Sequence, residues 1–168
     1  MSSDREFTTL EIVSIAIKSE IEAAKLYKRM KEMTDDSTLK EKFDFLISQE
    51  NKHERILTAT YKKMFPDVEL TTPPKSPFTP VEEVLSGDPS LKDLFEAAME
   101  AERVAEGFYG ELAKKTKNPN TKSLLLYLAK MEHSHLVLLE VEYEQIERGT
   151  DLDLDDFLTG ERLMHLGP

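Results

Sequence analysis

The chain has 168 residues, of which 39% are hydrophobic and 33% charged, with only six glycines. This composition is typical of a soluble, helix-rich globular domain and excludes disordered, fibrous and membrane-spanning classes. The formal net charge of -11 argues against nucleic acid as a partner, because phosphate backbones are bound by basic surfaces. Cysteine is absent, so a metal would have to be bound by carboxylates and imidazoles. The apolar run at 12–17 is too short for a signal peptide or a membrane span, so we expect no membrane association and a cytoplasmic location.

Two amphipathic helices are predicted in the first half of the chain. Apolar residues recur at helical spacing over Thr9–Met33. Thr8 and Glu11 have the spacing of a capping box, which predicts that this helix begins after Thr8. A second helix is expected to begin after Asp36.

A proline-rich segment follows between Phe65 and Pro89, and it cannot be one continuous helix. Thr79, Pro80 and Glu82 predict a short helix inside it, with a glycine available to end it. In helical bundles a long connection of this kind lets consecutive helices run parallel.

Two further helices are predicted in the second half, one after Ser90 with Asp93 in its cap, and one after Asn118 with Pro119 as its first residue. The bundle is expected to span residues 1–148, and no structure is predicted for the tail at 149–168. Apolar residues on more than one face of the fourth helix suggest contact with a partner subunit.

The two halves of the sequence are an internal repeat. Adding 82 to a residue number in the first half gives the same residue type in the second half without any gap, across two helices and their turn. The matching pairs include Ala16 and Ala98, Glu20 and Glu102, Ala23 and Ala105, Tyr27 and Tyr109, Leu46 and Leu128, Glu50 and Glu132, His53 and His135, Leu57 and Leu139, and Tyr61 and Tyr143. The chain is therefore predicted to be two copies of a helical hairpin.

Six polar residues interrupt the apolar stripes in this repeat: Glu20, Glu50, His53, Glu102, Glu132 and His135. Burying four carboxylates together is very costly unless cations neutralise them. A buried salt-bridge network is the alternative, but no Lys or Arg lies on the stripes. Di-iron and di-manganese bundles have the same ligand pattern, in which two helices each supply one Glu and the other two each supply a Glu-x-x-His pair.

The repeat also suggests a role for each of these residues. Glu50 and Glu132 are expected to bridge two iron ions, for which manganese or zinc could substitute. Each remaining pair should complete one ion, Glu20 with His53 and Glu102 with His135.

Two tyrosines are candidate catalytic residues. Tyr27 and Tyr109 lie seven residues after Glu20 and Glu102 on the same helix faces, where a hydroxyl could hydrogen-bond a ligand carboxylate. Core packing is the alternative for both. Other acidic and imidazole side chains are expected at the surface, namely Glu22, Glu100, Glu106, His133 and His165.

These residues resemble the ferritin-like superfamily, and within it the rubrerythrin-type di-iron domain. The resemblance covers about Thr8 to Glu147 and includes Q-E-N-K-H at 49–53 and M-E-H-S-H at 131–135. It implies a ferritin-like all-α four-helix bundle and a homodimeric cytoplasmic peroxide reductase. Two features depart from the pattern: the cysteines of a rubredoxin-like iron site are missing, and Ala105 replaces a further glutamate expected three residues after Glu102.

The leading hypothesis is an oxidoreductase that reduces hydrogen peroxide or O2 with electrons from a separate donor, such as a rubredoxin-like protein. The six-ligand site also resembles the ferroxidase centre of bacterioferritins, so Fe(II) oxidation is the second hypothesis. The third is a non-enzymatic bundle with a structural metal.

Overall fold

The computed structural model describes residues 8–76 and 81–151, which form five α-helices. They are α1 (Thr9–Glu32), α2 (Ser37–Met64), α3 (Val81–Ser86), α4 (Leu91–Lys115) and α5 (Pro119–Asp151). The four long helices form the predicted bundle, and α3 is the predicted short helix in the crossover. Its predicted cap residues, Thr79 and Pro80, lie outside the described residues, as does most of the tail. No described helix is both long enough and apolar enough to cross a membrane.

Local side-chain contacts explain where the long helices begin. Thr8 forms the predicted capping box with Glu11, and Ser90 forms an equivalent box with Asp93. The Asp36 side chain accepts a hydrogen bond from the backbone N–H of Leu39 at 2.9 Å. These caps satisfy backbone donors that have no partner inside the helix, so each predicted start is confirmed.

The helices pack as two antiparallel hairpins, α1 with α2 and α4 with α5. The hairpins meet with α1 against α4 and α2 against α5. Contacts such as Lys42 with Glu142 and His53 with Glu132 show that α2 and α5 are antiparallel, because the residue number falls on one helix as it rises on the other. The long helices α2 and α4, which the crossover with its short helix α3 connects, therefore run parallel, as the long crossover predicted.

Two apolar clusters fill the bundle, one towards each end. The first includes Leu26, Phe43 and Phe95, and the second includes Leu57 and Leu128. All five side chains are buried. The six polar residues of the repeat lie at mid-length on their helices, between the two clusters, so the core is interrupted by one polar layer.

The crossover segment is fastened to α1 by a buried carboxylate. Glu22 is fully buried and accepts hydrogen bonds from the backbone N–H of Ser76 at 3.1 and 3.2 Å. Lys18 lies 3.3 Å from the same carboxylate. The prediction that Glu22 is solvated is therefore wrong: its helix face is covered by a segment distant in the sequence, which periodicity along α1 cannot show.

Candidate metal centre

Each long helix contributes to the polar layer at the centre of the bundle. α1 and α4 each supply one glutamate, and α2 and α5 each supply a Glu-x-x-His pair. The structure brings all six predicted ligands together, and each is 3% exposed or less. Two groups of their ligand atoms lie close enough to hold an ion, and both groups contain Glu50 and Glu132. The shared glutamates are the residues expected to bridge.

Both imidazoles direct Nδ1 into the layer. His53 Nδ1 lies 3.2 Å from Glu20 Oε2 and 3.2 Å from Glu132 Oε1. His135 Nδ1 lies 2.8 Å from Glu50 Oε1 and 3.2 Å from Glu132 Oε2. The two rings stack with centroids 5.6 Å apart and planes inclined by 17°. Each histidine therefore contacts carboxylates from both hairpins.

Several of these buried atoms have no hydrogen-bond partner among the described residues, which tests whether the layer fits a metal. They include Glu50 Oε1, Glu132 Oε1 and His135 Nδ1. Glu50 Oε1 and His135 Nδ1 are only 2.8 Å apart, yet their alignment is not that of a hydrogen bond. Buried polar atoms are rarely left without partners. Oxygen and nitrogen atoms that lie close together but do not form a hydrogen bond are arranged as ligands of one ion would be. Carboxylate oxygens with imidazole nitrogens form a donor set suited to iron or manganese.

The two buried tyrosines cross between the hairpins. Tyr27 Oη donates a hydrogen bond to Glu102 Oε1, and Tyr109 Oη donates one to Glu20 Oε1. Each tyrosine thus supports the glutamate of the other hairpin, not the one on its own helix. The reciprocal contacts show the pseudo-two-fold relation between the two copies of the repeat.

The pKa values of the glutamates shift in different directions: those of Glu20 and Glu102 rise, and that of Glu50 falls. Burial raises the pKa of Glu20 well above 4.5, and the charge of Glu132 raises it further. The pKa of Glu102 is raised by burial and by the charges of Glu50 and Glu132. For Glu50 burial also acts upwards, but contacts with His135 and His53 outweigh it and lower the pKa to about 2. Without a cation, the layer therefore favours protons on Glu20 and Glu102 and a charge on Glu50.

The imidazoles supply the compensating positive charge. Burial lowers their pKa values, but contact with Glu132 and the other carboxylates raises that of His53 to about 12 and that of His135 to about 9. Burial, together with the neighbouring carboxylates, raises the pKa of Tyr27 and Tyr109 well above 10.0, so both hydroxyls keep their protons and donate. None of the four glutamates pairs with a Lys or Arg among the residues that the structure describes, so within this layer four carboxylates face only two imidazoles.

A cavity of about 20 Å³ lies over the layer between α1 and α4. This volume holds about one water-sized molecule. Its floor includes the four glutamates, and its walls include Ala23, Val104, Ala105 and Phe108. Ala105 thus lies at the cavity, where a further glutamate would have added a ligand.

The remaining predicted surface residues fall into three groups. His133 is exposed and lies 3.2 Å from Glu106, away from the layer. Glu100 is exposed and pairs with Arg103 at 3.1 Å. His165 lies outside the described residues.

A model of the family described as Rubrerythrin matches residues 11–143, which contain the whole polar layer. The chain belongs to the rubrerythrin family. A search of curated proteins found no match.

Two solved structures agree with this rubrerythrin fold. A hypothetical protein from Pyrococcus furiosus is 35% identical, with 84% of this chain and 92% of that chain covered and a TM-score of 0.72. CopM in the Cu(I)-bound form is 9% identical, with 83% of this chain and 98% of that chain covered and a TM-score of 0.68. At that identity the second likeness shows the fold alone.

Sequence reasoning missed one residue beside this rubrerythrin centre. Tyr127 is half exposed, yet its ring packs edge-on against the buried ring of His53. Tyr127 is the counterpart of Phe45 in the repeat, so a comparison of the two halves for non-identical aromatic pairs would have found it.

Proposed function

We propose that this protein is a di-iron carboxylate oxidoreductase that reduces hydrogen peroxide or O2 with electrons from a separate donor protein. The observation that carries the proposal is the buried layer, in which two groups of ligand atoms share Glu50 and Glu132. Bridging carboxylates hold two ions about 3.5–4 Å apart in two-metal sites, close enough to act on one small substrate. Membership of the rubrerythrin family supports iron as the metal, with manganese or zinc as substitutes.

Bound iron would supply the redox chemistry, since a reduced pair holds the two electrons that convert one peroxide and two protons into two waters. The residues of the chain do the rest. Tyr27 and Tyr109 orient the terminal glutamates by donating hydrogen bonds to them. The small cavity beside Ala105, with a volume of about 20 Å³, would give a small oxidant a place next to the carboxylates. The two apolar clusters exclude bulk water from both ends of the layer.

The donor is proposed to be external because the chain has no cysteine and hence no Cys-ligated iron site. A rubredoxin-like protein is the class of donor that the missing site suggests. We also propose a cytoplasmic homodimer, supported by the exposed apolar side chains of Val137 and Val141 on α5. Sedimentation analysis would test this proposal. A protein that sediments as a monomer at micromolar concentration would contradict it.

Fe(II) oxidation is the second candidate, and the observation favouring it is Ala105. With alanine at this position the layer has six ligands, as in ferroxidase centres, and a cavity remains where another carboxylate would lie. In that case Fe(II) is the substrate and leaves as Fe(III).

The deciding experiment is anaerobic loading with Fe(II), followed by stopped-flow mixing with peroxide or with O2. A peroxide reductase should consume one peroxide per iron pair, stop, and resume only when a rubredoxin and its reductase are added. A ferroxidase should instead continue with Fe(II) alone and accumulate Fe(III). Absence of reaction with either oxidant would leave a structural metal site.

Variants of the ligands are the controls for this experiment. Elemental analysis should find two ions per chain, and both should be lost in Glu50→Ala or Glu132→Ala, because each carboxylate belongs to both groups. Glu20→Ala and Glu102→Ala should each disable the pair by removing a terminal ligand. Wild-type rates in these two variants would place the chemistry elsewhere.

A further inference from the structure

One aromatic ring connects the surface of the bundle to the buried layer. The side chain of Tyr127 on α5 is among the exposed large side chains, with 39% of the residue accessible, whereas His53 on α2 is 0% exposed. Their ring centroids are 6.5 Å apart and their planes are inclined by 81°, which is an edge-to-face contact. A partner that touches Tyr127 is therefore one ring away from a predicted metal ligand.

His53 in turn contacts residues from both hairpins of the layer. His53 Nδ1 faces Glu20 and Glu132, and its ring stacks on that of His135 at 5.6 Å. His53 Nε2 has no hydrogen-bond partner among the described residues. Electron tunnelling through protein falls steeply with distance, and a short series of packed rings gives a compact route.

This contact breaks the symmetry of the repeat. Tyr127 corresponds to Phe45, and Lys52 corresponds to Ser134, by the same offset of 82 that relates the ligands. Lys52 Nζ donates a hydrogen bond of 3.3 Å to Tyr127 Oη and holds the ring in place. Phe45 is 49% exposed, but within residues 8–76 and 81–151 it makes no ring contact with His135. Of the two equivalent positions, therefore, Tyr127 contacts a predicted ligand ring and Phe45 does not.

The contact also lies away from the cavity. The cavity opens between α1 and α4, whereas Tyr127 and His53 belong to α5 and α2. A second aromatic contact, Phe108 with Tyr109 at 5.7 Å, lies on the cavity side, where Phe108 forms part of the wall. A donor protein bound over α2 and α5 would leave the cavity open to the oxidant.

We propose that electrons from an external one-electron donor protein enter the metal centre at Tyr127, and that the donor docks on the α2–α5 face around this residue. The inference rests on the proposed function, because it assumes a redox-active iron pair. Each transfer oxidises the donor by one electron and reduces one Fe(III) to Fe(II), so two transfers restore the reduced pair. Tyr127 lies on the path of the electron, and its side chain is chemically unchanged after each transfer.

The repeat provides a matched test. Ser123 and Glu41 are exposed, are related by the offset of 82, and each precedes its aromatic residue, Tyr127 or Phe45, by one helical turn. Because the chain has no cysteine, Ser123→Cys or Glu41→Cys gives a single attachment point for a ruthenium tris-bipyridine label. Flash photolysis with a sacrificial quencher then injects one electron into the oxidised, iron-loaded protein, and absorbance follows the reduction of the iron.

Reduction should be faster from the label at Ser123 than from the label at Glu41. Tyr127→Leu should remove this advantage, whereas Tyr127→Phe should retain most of it because the ring remains. Phe45→Leu should leave the rate from Glu41 unchanged. Iron content and the absorption spectrum of the oxidised centre should be the same in all these variants, which separates a lost route from a damaged site.

Docking is measured without turnover, by following amide NMR signals of the zinc-loaded protein during titration with a rubredoxin. Signals around Tyr127 should shift, and those around Phe45 should not. Three results would overturn this inference: equal rates from the two labels, an unchanged rate in Tyr127→Leu, or shifts centred on Phe45. If the wild-type protein still reacts with peroxide, the proposed function would stand. A wild-type protein that binds no iron pair would overturn the proposed function as well.

Discussion

Removing the metal should make the stability of this protein fall as pH rises. The pKa of His135 is raised from 6.5 to about 9 in the folded, metal-free layer, because its contacts with Glu132 and Glu50 outweigh burial. A raised pKa stabilises the fold below pH 6.5, and this contribution disappears as pH rises through the folded value. A shift of this size corresponds to about 3 kcal/mol of unfolding free energy. The raised pKa values of Glu20 and Glu102 act in the same direction above pH 4.5.

The metal-loaded protein should behave in the opposite way. Ligands must be deprotonated to bind a cation, so metal binding becomes tighter as pH rises, and the bound ion stabilises the folded state by linkage. Between pH 6.5 and 9 the loss of the His135 contribution alone should lower the metal-free unfolding temperature by about 6–12 °C, since about 1 kcal/mol shifts it by about 2–4 °C in a chain of this size. The raised pKa of His53 should add to this fall. The loaded protein should show no such fall.

Urea and thermal unfolding at the two pH values, with zinc as the non-redox ion, provide the measurement. His135→Gln should remove about 3 kcal/mol of the metal-free pH dependence, and the part that comes from the raised pKa of His53 should remain. His133→Gln is the matched control, because His133 lies two residues away on the same helix but is exposed and outside the layer. A metal-free protein whose stability is constant or increases over this pH range would refute the inferred protonation of the layer.

Three further outcomes are expected. Tyr27→Phe should weaken iron binding by about 10–100-fold in chelator competition, because its hydrogen bond orients a ligand carboxylate; Tyr61→Phe, which loses a bond to a backbone carbonyl, should not. Glu22→Ala should lower the unfolding free energy by about 1–3 kcal/mol in urea while leaving iron content unchanged, because the buried Ser76 N–H loses its partner. Ala105→Leu should fill the cavity without adding a ligand and slow oxidation by peroxide in stopped flow, and an unchanged rate would show that the oxidant enters elsewhere.

The helix starts and the polar layer could be predicted because both depend on local or periodic signals. The capping residues Thr8 and Ser90 act within one helical turn, so their effect is visible in the sequence itself. The layer was predicted because the repeat placed Glu20 and Glu102 at the same stripe position in both copies. Helical periodicity then required these side chains to face the core.

Contacts between helices could not be predicted in the same way. Periodicity gives the face on which a residue lies but not which neighbouring helix it meets, so the sequence did not show that Tyr27 contacts Glu102. The burial of Glu22 depends on Ser76, which lies in the irregular crossover. Each of these features is set by packing between segments far apart in the chain.

The repeat makes the two groups of ligand atoms chemically alike, so any difference in role between the two proposed ion positions must come from their surroundings. Each position receives one terminal glutamate, one histidine and the two shared glutamates. The surroundings differ on the α2–α5 side, where Tyr127 and Lys52 stand in place of Phe45 and Ser134. Reduction of an oxidant needs both ions together, whereas electrons from a one-electron donor arrive singly. A symmetric layer with one asymmetric contact to the surface would suit both requirements of the proposed function, because Tyr127 contacts the His53 ring and this ring stacks on that of His135.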